Sequence, residues 1–187
     1  MDTAEYERAW RELAEGVVNR KHGFHTFTLA TVGADGFPTA RTVVLREADA
    51  ATRILRFHGD ARSPKFDELR GRPQVCALFY GETERFQVRV SGTATVHHGD
   101  DLCRTIWDAM QPISRETYRT PFAPTSPREE SDSDAALLAL PDAFQHFAVC
   151  RIAVTTLEWL ALSRGINPRA RHDFDTDGAM RTHFLHP

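Results

Sequence analysis

Two segments of the sequence place cationic side chains next to features that bind anions. Residues 41–46 read Arg-Thr-Val-Val-Leu-Arg, an apolar strand with an arginine at each end. Residues 58–65 read His-Gly-Asp-Ala-Arg-Ser-Pro-Lys, in which Ser-Pro is typical of a helix start. A phosphate dianion needs charge-assisted donors: arginine supplies a fork, lysine a point charge, and a helix N-terminus free amides. Arg62, Ser63 and Lys65 supply these donors within four residues, which indicates a local phosphate site.

Each of these features also has an ordinary structural explanation. Arg41 and Arg46, taken singly, are more often solvated strand ends, and Ser-Pro is a common helix cap. A third segment, residues 84–92, alternates apolar and polar side chains. Its polar side is either the solvent-exposed outer face of a sheet or a ligand-binding face, on which Gln87 would offer a hydrogen-bond donor and an acceptor.

The elements that position these residues are mostly strands. Helical spacing of apolar residues predicts a helix over residues 1–22, capped by Asp2 or Thr3, and further helices are predicted over 63–70, from 100 or 101 to about 110, and over 135–140. β-branched and aromatic runs predict strands over 26–32, 39–45, 53–58, 74–80, 86–96, 149–154 and 157–162, with a further one over 180–185. Short antiparallel strands with few helices favour a mainly β (α+β) barrel or sandwich over a doubly wound parallel sheet.

The 187 residues predict one domain, with 41% hydrophobic and 26% charged residues. Residues 112–134 are rich in proline and acidic side chains, which predicts a solvated loop or a mobile lid. A net charge of −3 favours neither nucleic acid nor an anionic membrane. No apolar run reaches the roughly 18 residues of a membrane helix and no signal-peptide core is present, so we expect a cytoplasmic protein.

Histidine and cysteine patterns predict no metal site and no disulfide framework. The three cysteines are far apart, and the nine histidines show no metal-ligand spacing. His97 and His98 are adjacent, but neighbouring side chains in a strand point to opposite faces. Cys76 and Cys150 lie in apolar runs and are expected to be buried, inert thiols.

The ordered set of motifs resembles the pyridoxamine 5′-phosphate oxidase-like FMN-binding family. The resemblance covers residues 26–98 and extends more loosely over 151–174. It is carried by the order and spacing of Ala-Thr-Val at 30–32, Gly-Phe-Pro at 36–38, residues 41–45, Phe-His at 57–58, Arg-Ser-Pro-Lys at 62–65, Leu-Phe-Tyr at 78–80 and Gln-Val-Arg-Val-Ser-Gly at 87–92.

The resemblance implies an antiparallel split β-barrel with peripheral helices, working as a homodimer with FMN at the subunit interface. Arg41 and Lys65 would hold the FMN phosphate, helped by Ser63, and the resemblance implies that Gln87 faces the flavin ring. The remaining cofactor positions implied are Thr42, Val43, Val44, Leu45, Arg46, His58, Gly59 and Arg62. Arg46, Arg169 and His172 are the implied substrate contacts, although an exposed arginine is as often a solvated loop charge.

The sequence also departs from the authentic oxidase of this family. Pro64 replaces a basic residue, for which Arg62 is a candidate substitute, and Leu160 stands where a tryptophan packs against the flavin. The late Arg-x-His-x-Arg motif is only approximated by residues 169–173. We therefore expect an FMN-dependent oxidoreductase with a small unidentified substrate, the alternatives being a non-catalytic flavin carrier or sensor, a true pyridoxamine/pyridoxine 5′-phosphate oxidase, or an interaction domain without cofactor.

Overall fold

The computed structural model describes residues 3–129, 132 and 135–187. Within these residues the chain forms eight strands: β1 Thr26–Val32, β2 Pro38–Asp49, β3 Ile54–Asp60, β4 Gln74–Gly81, β5 Phe86–His98, β6 Phe147–Ala161, β7 Arg169–Phe174 and β8 Met180–Leu185. The helices are α1 Ala4–Val18, α2 Pro64–Gly71, α3 Asp101–Ala109, α4 Pro112–Arg115 and α5 Leu140–Ala143, with 3₁₀ turns at Glu116–Tyr118 and Phe144–His146.

The strands form one antiparallel sheet that closes on itself. Their order is β3-β2-β1-β4-β5-β6-β7-β8, and β3 also pairs with β6. Strands β1 to β6 therefore make a closed barrel, and β7 and β8 extend it beyond β6. This confirms the predicted mainly β split barrel with peripheral helices.

The barrel interior is filled by the apolar sides of alternating strands. In β5, Phe86, Val88 and Val90 are fully buried, while Gln87 and Arg89 face outward as the alternation predicts. The ends of the barrel are covered by apolar side chains of two helices, Ala9, Trp10 and Leu13 of α1 and Phe66 and Leu69 of α2.

A second apolar cluster, here named the cap cluster, lies on the outside of β6. It consists of Cys103, Trp107, Tyr118, Ala143, Phe147 and Val149. Its α3 is capped by Asp100, whose carboxylate accepts a hydrogen bond from the Cys103 amide at 2.9 Å. The cap cluster covers the outward side of the barrel where β3 and β6 pair.

The outward side of the sheet further along β4 to β7, here named the open face, is largely exposed. Cross-strand pairs place Tyr80, Gln87, Leu160 and Arg169 in one row on it. Leu78 and Tyr80 are 37% and 51% exposed, which is unusual for large apolar side chains at the centre of a sheet.

Three predictions about the elements were wrong, and one strand was not predicted. Residues 149–154 and 157–162 belong to one strand, because Thr155 and Thr156 between them favour extended backbone and provide no turn. Residues 169–174 form a strand that the sequence pattern did not predict. The predicted helix over 135–140 begins only at Leu140, before Pro141, and residues 112–118 are helical where a loop was expected.

The predicted cap of α1 is only partly tested. Asp2 lies outside the described residues, and Thr3 is the N-cap residue without a side-chain capping bond. In the part of the chain that the structure describes, no helix has the length and apolar character needed to cross a bilayer.

Candidate functional site

The start of α2 brings Gly59, Ser63 and Lys65 together. Ser63 is the extended N-cap residue of α2, and its buried hydroxyl accepts a hydrogen bond from the Lys65 Nζ at 2.9 Å. The Lys65 side chain lies across Gly59, where a Cβ atom would be only 3.1 Å from Lys65 Cε and 3.0 Å from the Phe66 ring. A side chain at position 59 would therefore have to displace the lysine stem or the Phe66 ring by a few tenths of an ångström. We name Gly59, Ser63 and Lys65 the phosphate cradle, after the role that the sequence analysis predicts for them.

Lys65 is a cation that has lost much of its hydration. Burial lowers the pKa of Lys65, and the nearby charge of Arg41 lowers it further, against smaller opposing effects of Asp60 and Glu68. Among the described residues Lys65 forms no ion pair. A desolvated ammonium beside a second cation is stabilised by an anionic ligand.

Arg41 is held by β1, β2 and α2. Its Nη2 donates to Glu68 Oε2 at 2.7 Å and to Thr39 Oγ1 at 2.8 Å, and its Nη1 donates to Thr31 Oγ1 and to the Leu29 carbonyl. Only Nε is without a partner among the described residues, so Arg41 offers a ligand one N–H group and its charge. The other four N–H groups tie the β1–β2 hairpin to α2.

Glu68 is the residue that fixes Arg41, and the sequence reasoning missed it. One of its oxygens, Oε2, accepts hydrogen bonds from Thr31 at 2.5 Å, Thr39 at 3.0 Å and Arg41. Burial alone would raise the pKa of Glu68, but these hydrogen bonds and the charge of Arg41 lower it below its ordinary value. The available signal was an acid at position i+3 from Lys65, on the same helix.

Arg62 is committed to another role. Its guanidinium makes two hydrogen bonds to the Asp60 carboxylate, at 3.0 and 2.6 Å, and two to the carbonyls of Thr120 and Pro121, at 3.1 and 3.0 Å. It therefore fastens the segment after Tyr118 to the end of β3, and it makes no hydrogen bond to the phosphate cradle among the described residues.

The backbone of β2 is open beside the phosphate cradle. Thr42, Val43 and Val44 have ladder partners only in β1, because β3 begins to pair with β2 at Leu45. The amides and carbonyls on the other edge are thus available to a ligand, as expected for backbone that runs along a cofactor.

Arg46 and His58 lie on the outward side, toward the cap cluster. Arg46 sits at a β-bulge between Leu45 and Glu47, is exposed, and has no hydrogen-bond or ion-pair partner among the described residues. His58 accepts a hydrogen bond from Arg56 at 2.8 Å through Nε2. Burial, followed by the charges of Arg56 and Arg46, lowers the pKa of His58 to about 3, so its ring stays neutral.

Gln87 and Arg169 lie elsewhere in the same chain. Gln87 is opposite Leu160 of β6, whereas His58 is opposite Val149 of the same strand. The eleven residues that separate Val149 from Leu160 along β6 correspond to roughly 35 Å, at about 3.3 Å per residue. One chain therefore does not bring Gln87 and Arg169 to the phosphate cradle.

Arg169 and His172 are both bound within the protein. Arg169 contacts Glu158 Oε1 at 2.5 Å, and the second oxygen of this buried carboxylate accepts from Arg89 at 2.6 Å. His172 is 2% exposed; its Nε2 accepts from the Trp159 indole at 3.0 Å and its Nδ1 lies 3.0 Å from Thr182 Oγ1. His172 is thus buried between Trp159 and Thr182, while Arg169 borders the open face.

Tyr118 is a further residue that the sequence reasoning missed, since it lies in the segment expected to be solvated. It is 7% exposed and packs against Trp107 and Phe147 of the cap cluster. An aromatic residue among prolines and charges was the only sequence signal for its burial.

A sequence model described as the FMN-binding domain of pyridoxamine 5′-phosphate oxidase matches residues 7–98, which are 92 of the 187 residues. The pyridoxine/pyridoxamine 5′-phosphate oxidase of Caulobacter vibrioides (strain NA1000 / CB15N) is 39% identical over 69 residues, 37% of this chain and 30% of that protein. That of Cupriavidus pinatubonensis is 27% identical over 172 residues, 87% of this chain and 79% of that protein. The more identical matches thus span only about a third of the relatives' length.

Two solved structures share the whole fold. A pyridoxamine 5′-phosphate oxidase-related, FMN-binding protein from Nostoc punctiforme has a TM-score of 0.76 at 22% identity, covering 100% of this chain and 98% of that one. PhzG from Burkholderia lata 383 has a TM-score of 0.76 at 21% identity, covering 100% and 94%. Residues 7–98 are thus similar to the FMN-binding domain of pyridoxamine 5′-phosphate oxidase, and the whole chain has the split-barrel fold of these two structures.

Proposed function

We propose that this chain binds FMN, with the phosphomonoester held by the phosphate cradle and the Nε of Arg41. The observation that carries the proposal is the Lys65 ammonium: it is desolvated, has no ion pair among the described residues, touches the Ser63 hydroxyl, and lies beside Arg41 over Gly59. These donors match a dianion in charge and in hydrogen-bonding capacity, so the residues present fit the group.

The length of β2 suits the rest of the cofactor. From Arg41 to Arg46 the strand advances five residues, or about 17 Å, which is comparable to an extended FMN molecule. The open edge of Thr42–Val44 would face the cofactor along this path, and His58 would border its outward side. The ring end would then lie near Arg46.

Gln87 and Arg169 would reach the flavin only from a second copy of the chain. Because they lie roughly 35 Å from the cradle along β6, we propose a homodimer that packs through the open face. The exposure of Leu78 and Tyr80 on that face supports this arrangement. In the dimer each FMN would contact both copies.

The proposed activity is hydride transfer between FMN and a small organic substrate. FMN supplies the hydride chemistry when it is bound. The chain would bind the phosphate of the cofactor and orient the cofactor along β2. Oxygen or a nicotinamide would be the second reactant. All three cysteines are free, which agrees with the reducing cytoplasm as its location.

The test of the cofactor assignment compares FMN with riboflavin, which lacks the phosphate. We expect FMN to bind the flavin-free protein at least tenfold more tightly, since charged hydrogen bonds to the phosphate contribute about 1.5–3 kcal/mol. Equal affinity for the two flavins would contradict the phosphate assignment.

Turnover is tested separately on the FMN-loaded protein. Anaerobic reduction by a nicotinamide, followed by addition of oxygen, distinguishes an oxidoreductase from a carrier. Oxidation of pyridoxamine 5′-phosphate in a second assay would identify a true oxidase of this compound. The departures at Pro64 and Leu160 weigh against activity on pyridoxamine 5′-phosphate. A flavin that is bound but neither reduced nor reoxidised would favour a carrier or sensor.

A further inference from the structure

A cavity of about 670 Å³ lies between α2 and the turn that joins β1 to β2. One wall is a single face of α2, with residues at the spacing i, i+3, i+4 and i+7: Pro64, Asp67, Glu68 and Gly71. The other wall is formed by residues 32–35 of the turn. We name this space the distal cavity. Its volume is typical of sites for small molecules, which hold roughly 300–1,000 Å³.

The distal cavity begins beside the phosphate cradle. Pro64 lines it and directly follows Ser63 of the cradle. Thr39 and Glu68 also line it. Both of these residues accept hydrogen bonds from Arg41, at 2.8 Å and 2.7 Å. A phosphate held by Ser63 and Arg41 would therefore lie at the entrance of the cavity.

The distal cavity lies on the side of the phosphate that faces away from the proposed flavin ring. Along β2, Thr39 comes two positions before Arg41, whereas Arg46 comes five positions after it. FMN ends at its phosphate, so it would not fill the cavity. Along the wall of α2, the helix rises about 10 Å from Pro64 to Gly71, which is comparable to the length of an adenosine group.

The charges around the distal cavity are almost balanced. Of the residues that the structure describes, five charged ones line it, and three of these form ion pairs. The pairs are Glu68 with Arg41 at 2.7 Å, Asp67 with Arg70 at 2.8 Å and Arg62 with Asp60 at 2.6 Å. The other two, Asp35 and Arg72, are of opposite sign. The cavity therefore suits an uncharged polar group better than a further ion.

Asp35 and Arg72 offer contacts that a purine nucleoside can use. Asp35 Oδ1 accepts a hydrogen bond from the Phe37 amide at 3.0 Å, and Oδ2 has no partner among the described residues, so it can accept from a hydroxyl or an amine. Carboxylates bind ribose hydroxyls in this way in the dinucleotide sites of other folds. Arg72 is exposed and donates to the Gly33 carbonyl, and its planar guanidinium can stack on an aromatic ring.

The entrance of the cavity has a place for a second phosphate. Arg62 lines it and uses four of its five N–H groups, for Asp60 and for the carbonyls of Thr120 and Pro121. The remaining N–H group, on Nη1, has no partner in the part of the chain that the structure describes. The positive end of the α2 dipole lies at the same place, because α2 begins at Pro64. A diphosphate at the start of α2 would meet both.

We propose that the distal cavity binds the adenosine end of FAD, so that the chain accepts this dinucleotide as well as FMN. The phosphate cradle and Arg41 would hold the first phosphate, and Arg62 at the start of α2 would meet the second. Asp35 and Arg72 would contact the nucleoside. The inference rests on the proposed FMN function and makes it more specific, since it concerns which flavins the same site binds.

The test compares FAD with FMN by titration calorimetry on flavin-free protein. We expect FAD to bind as tightly as FMN or more tightly, because its flavin and first phosphate make the same contacts and the adenosine end adds others. An FAD affinity that is roughly threefold or more below that of FMN would overturn the proposal.

Filling the cavity should weaken FAD binding alone. A Cβ atom at Gly71 would meet no atom within 4 Å, so the side chain of Gly71→Leu has room to enter the cavity. We expect this variant to lower FAD affinity about tenfold or more, with unchanged FMN affinity and melting temperature. Gly71→Ala leaves most of the cavity open, and as the matched control it should change neither affinity. If Gly71→Leu does not fold, Ala34→Leu fills the cavity from the opposite wall and should give the same result.

The outcomes separate this inference from the proposed function. If neither FMN nor FAD binds, the cofactor assignment itself fails. If FMN binds normally and Gly71→Leu binds FAD like the parent protein, only the assignment of the distal cavity is overturned. An equal loss of FMN and FAD affinity in Gly71→Leu would place FMN in the cavity and also overturn it. Binding of 5′-AMP to the FMN-saturated protein that is lost in Gly71→Leu would assign the cavity to a separate nucleotide and likewise overturn it.

Discussion

Replacing Lys65 by methionine is the sharpest test of the phosphate cradle, because it should affect binding and folding in opposite directions. Methionine preserves the length and apolar packing of the side chain over Gly59 but removes the charge. The lysine makes one hydrogen bond, to Ser63 at 2.9 Å, and no ion pair among the described residues. The flavin-free fold therefore loses little when the ammonium is removed.

The expected loss in binding follows from one charged hydrogen bond to the phosphate. At about 1.5–3 kcal/mol, FMN affinity should fall roughly ten- to 150-fold. Riboflavin affinity should not change, since riboflavin has no phosphate. The stability of the flavin-free protein should stay the same or rise, because burial of the Lys65 ammonium disfavours its charged form.

The assay is quenching of flavin fluorescence on titration with protein, together with thermal melts of the flavin-free form. Lys21→Met is the matched control, because Lys21 is the only other lysine of the chain and is exposed. It should leave FMN binding and melting unchanged. The reasoning is refuted if Lys65→Met binds FMN like the parent protein, or if riboflavin binding weakens by the same factor.

The pH dependence gives an independent check on Lys65. Burial lowers its pKa below the ordinary 10.5, so between the two values the unfolded chain binds a proton that the folded protein does not. The flavin-free protein should therefore gain stability as pH rises through this window. FMN affinity should fall over the same window as the ammonium is lost, and Lys65→Met should abolish both trends.

Three further outcomes follow from the contacts of other residues. Arg41→Ala leaves the Glu68 carboxylate without its cation, so the unfolding free energy of flavin-free protein in urea should fall by about 3 kcal/mol, and by less when combined with Glu68→Gln; an unchanged midpoint would contradict the anchoring role. Because the pKa of His58 is lowered from 6.5 to about 3, the unfolded chain binds the extra proton in that range, and stability should fall by at most about 5 kcal/mol from pH 6.5 to pH 3. His58→Phe should flatten this decline in acid denaturation curves, and an equally steep decline would exclude His58 as its source. The double variant Leu78→Glu, Tyr80→Glu should sediment as a monomer with weakened FMN binding, whereas parent protein that is monomeric with FMN bound would refute the interface model.

The sequence was sufficient where structure depends on neighbouring residues. The β1–β2 hairpin around Gly36, the start of α2 at Ser63-Pro64 and the alternation of β5 all arise from local turn, cap and pleat geometry. The proximity of Ser63 and Lys65 also arises from local geometry, because residues that are two positions apart at the start of a helix lie close together. The resemblance to the FMN-binding family is visible in the sequence for this reason, since the motifs that carry it lie in these local segments.

The sequence was insufficient where a side chain meets a partner far along the chain. The sequence predicts Arg62 at the phosphate, and the structure adds its hydrogen bonds to the carbonyls of Thr120 and Pro121. The sequence predicts His172 at the substrate, and the structure adds its hydrogen bond from Trp159. Neither contact has any signature in local sequence.

The sequence by itself thus determined the barrel, the helices α1, α2 and α3 and the cationic residues available for an anion. Only the tertiary structure decided which of these cations are free, because a charge is neutralised by whatever folding brings within hydrogen-bond distance. Arg41, Arg62 and Arg169 are paired with the acids Glu68, Asp60 and Glu158, while Lys65 and Arg46 remain without a carboxylate among the described residues. That division of charges comes from contacts between distant segments.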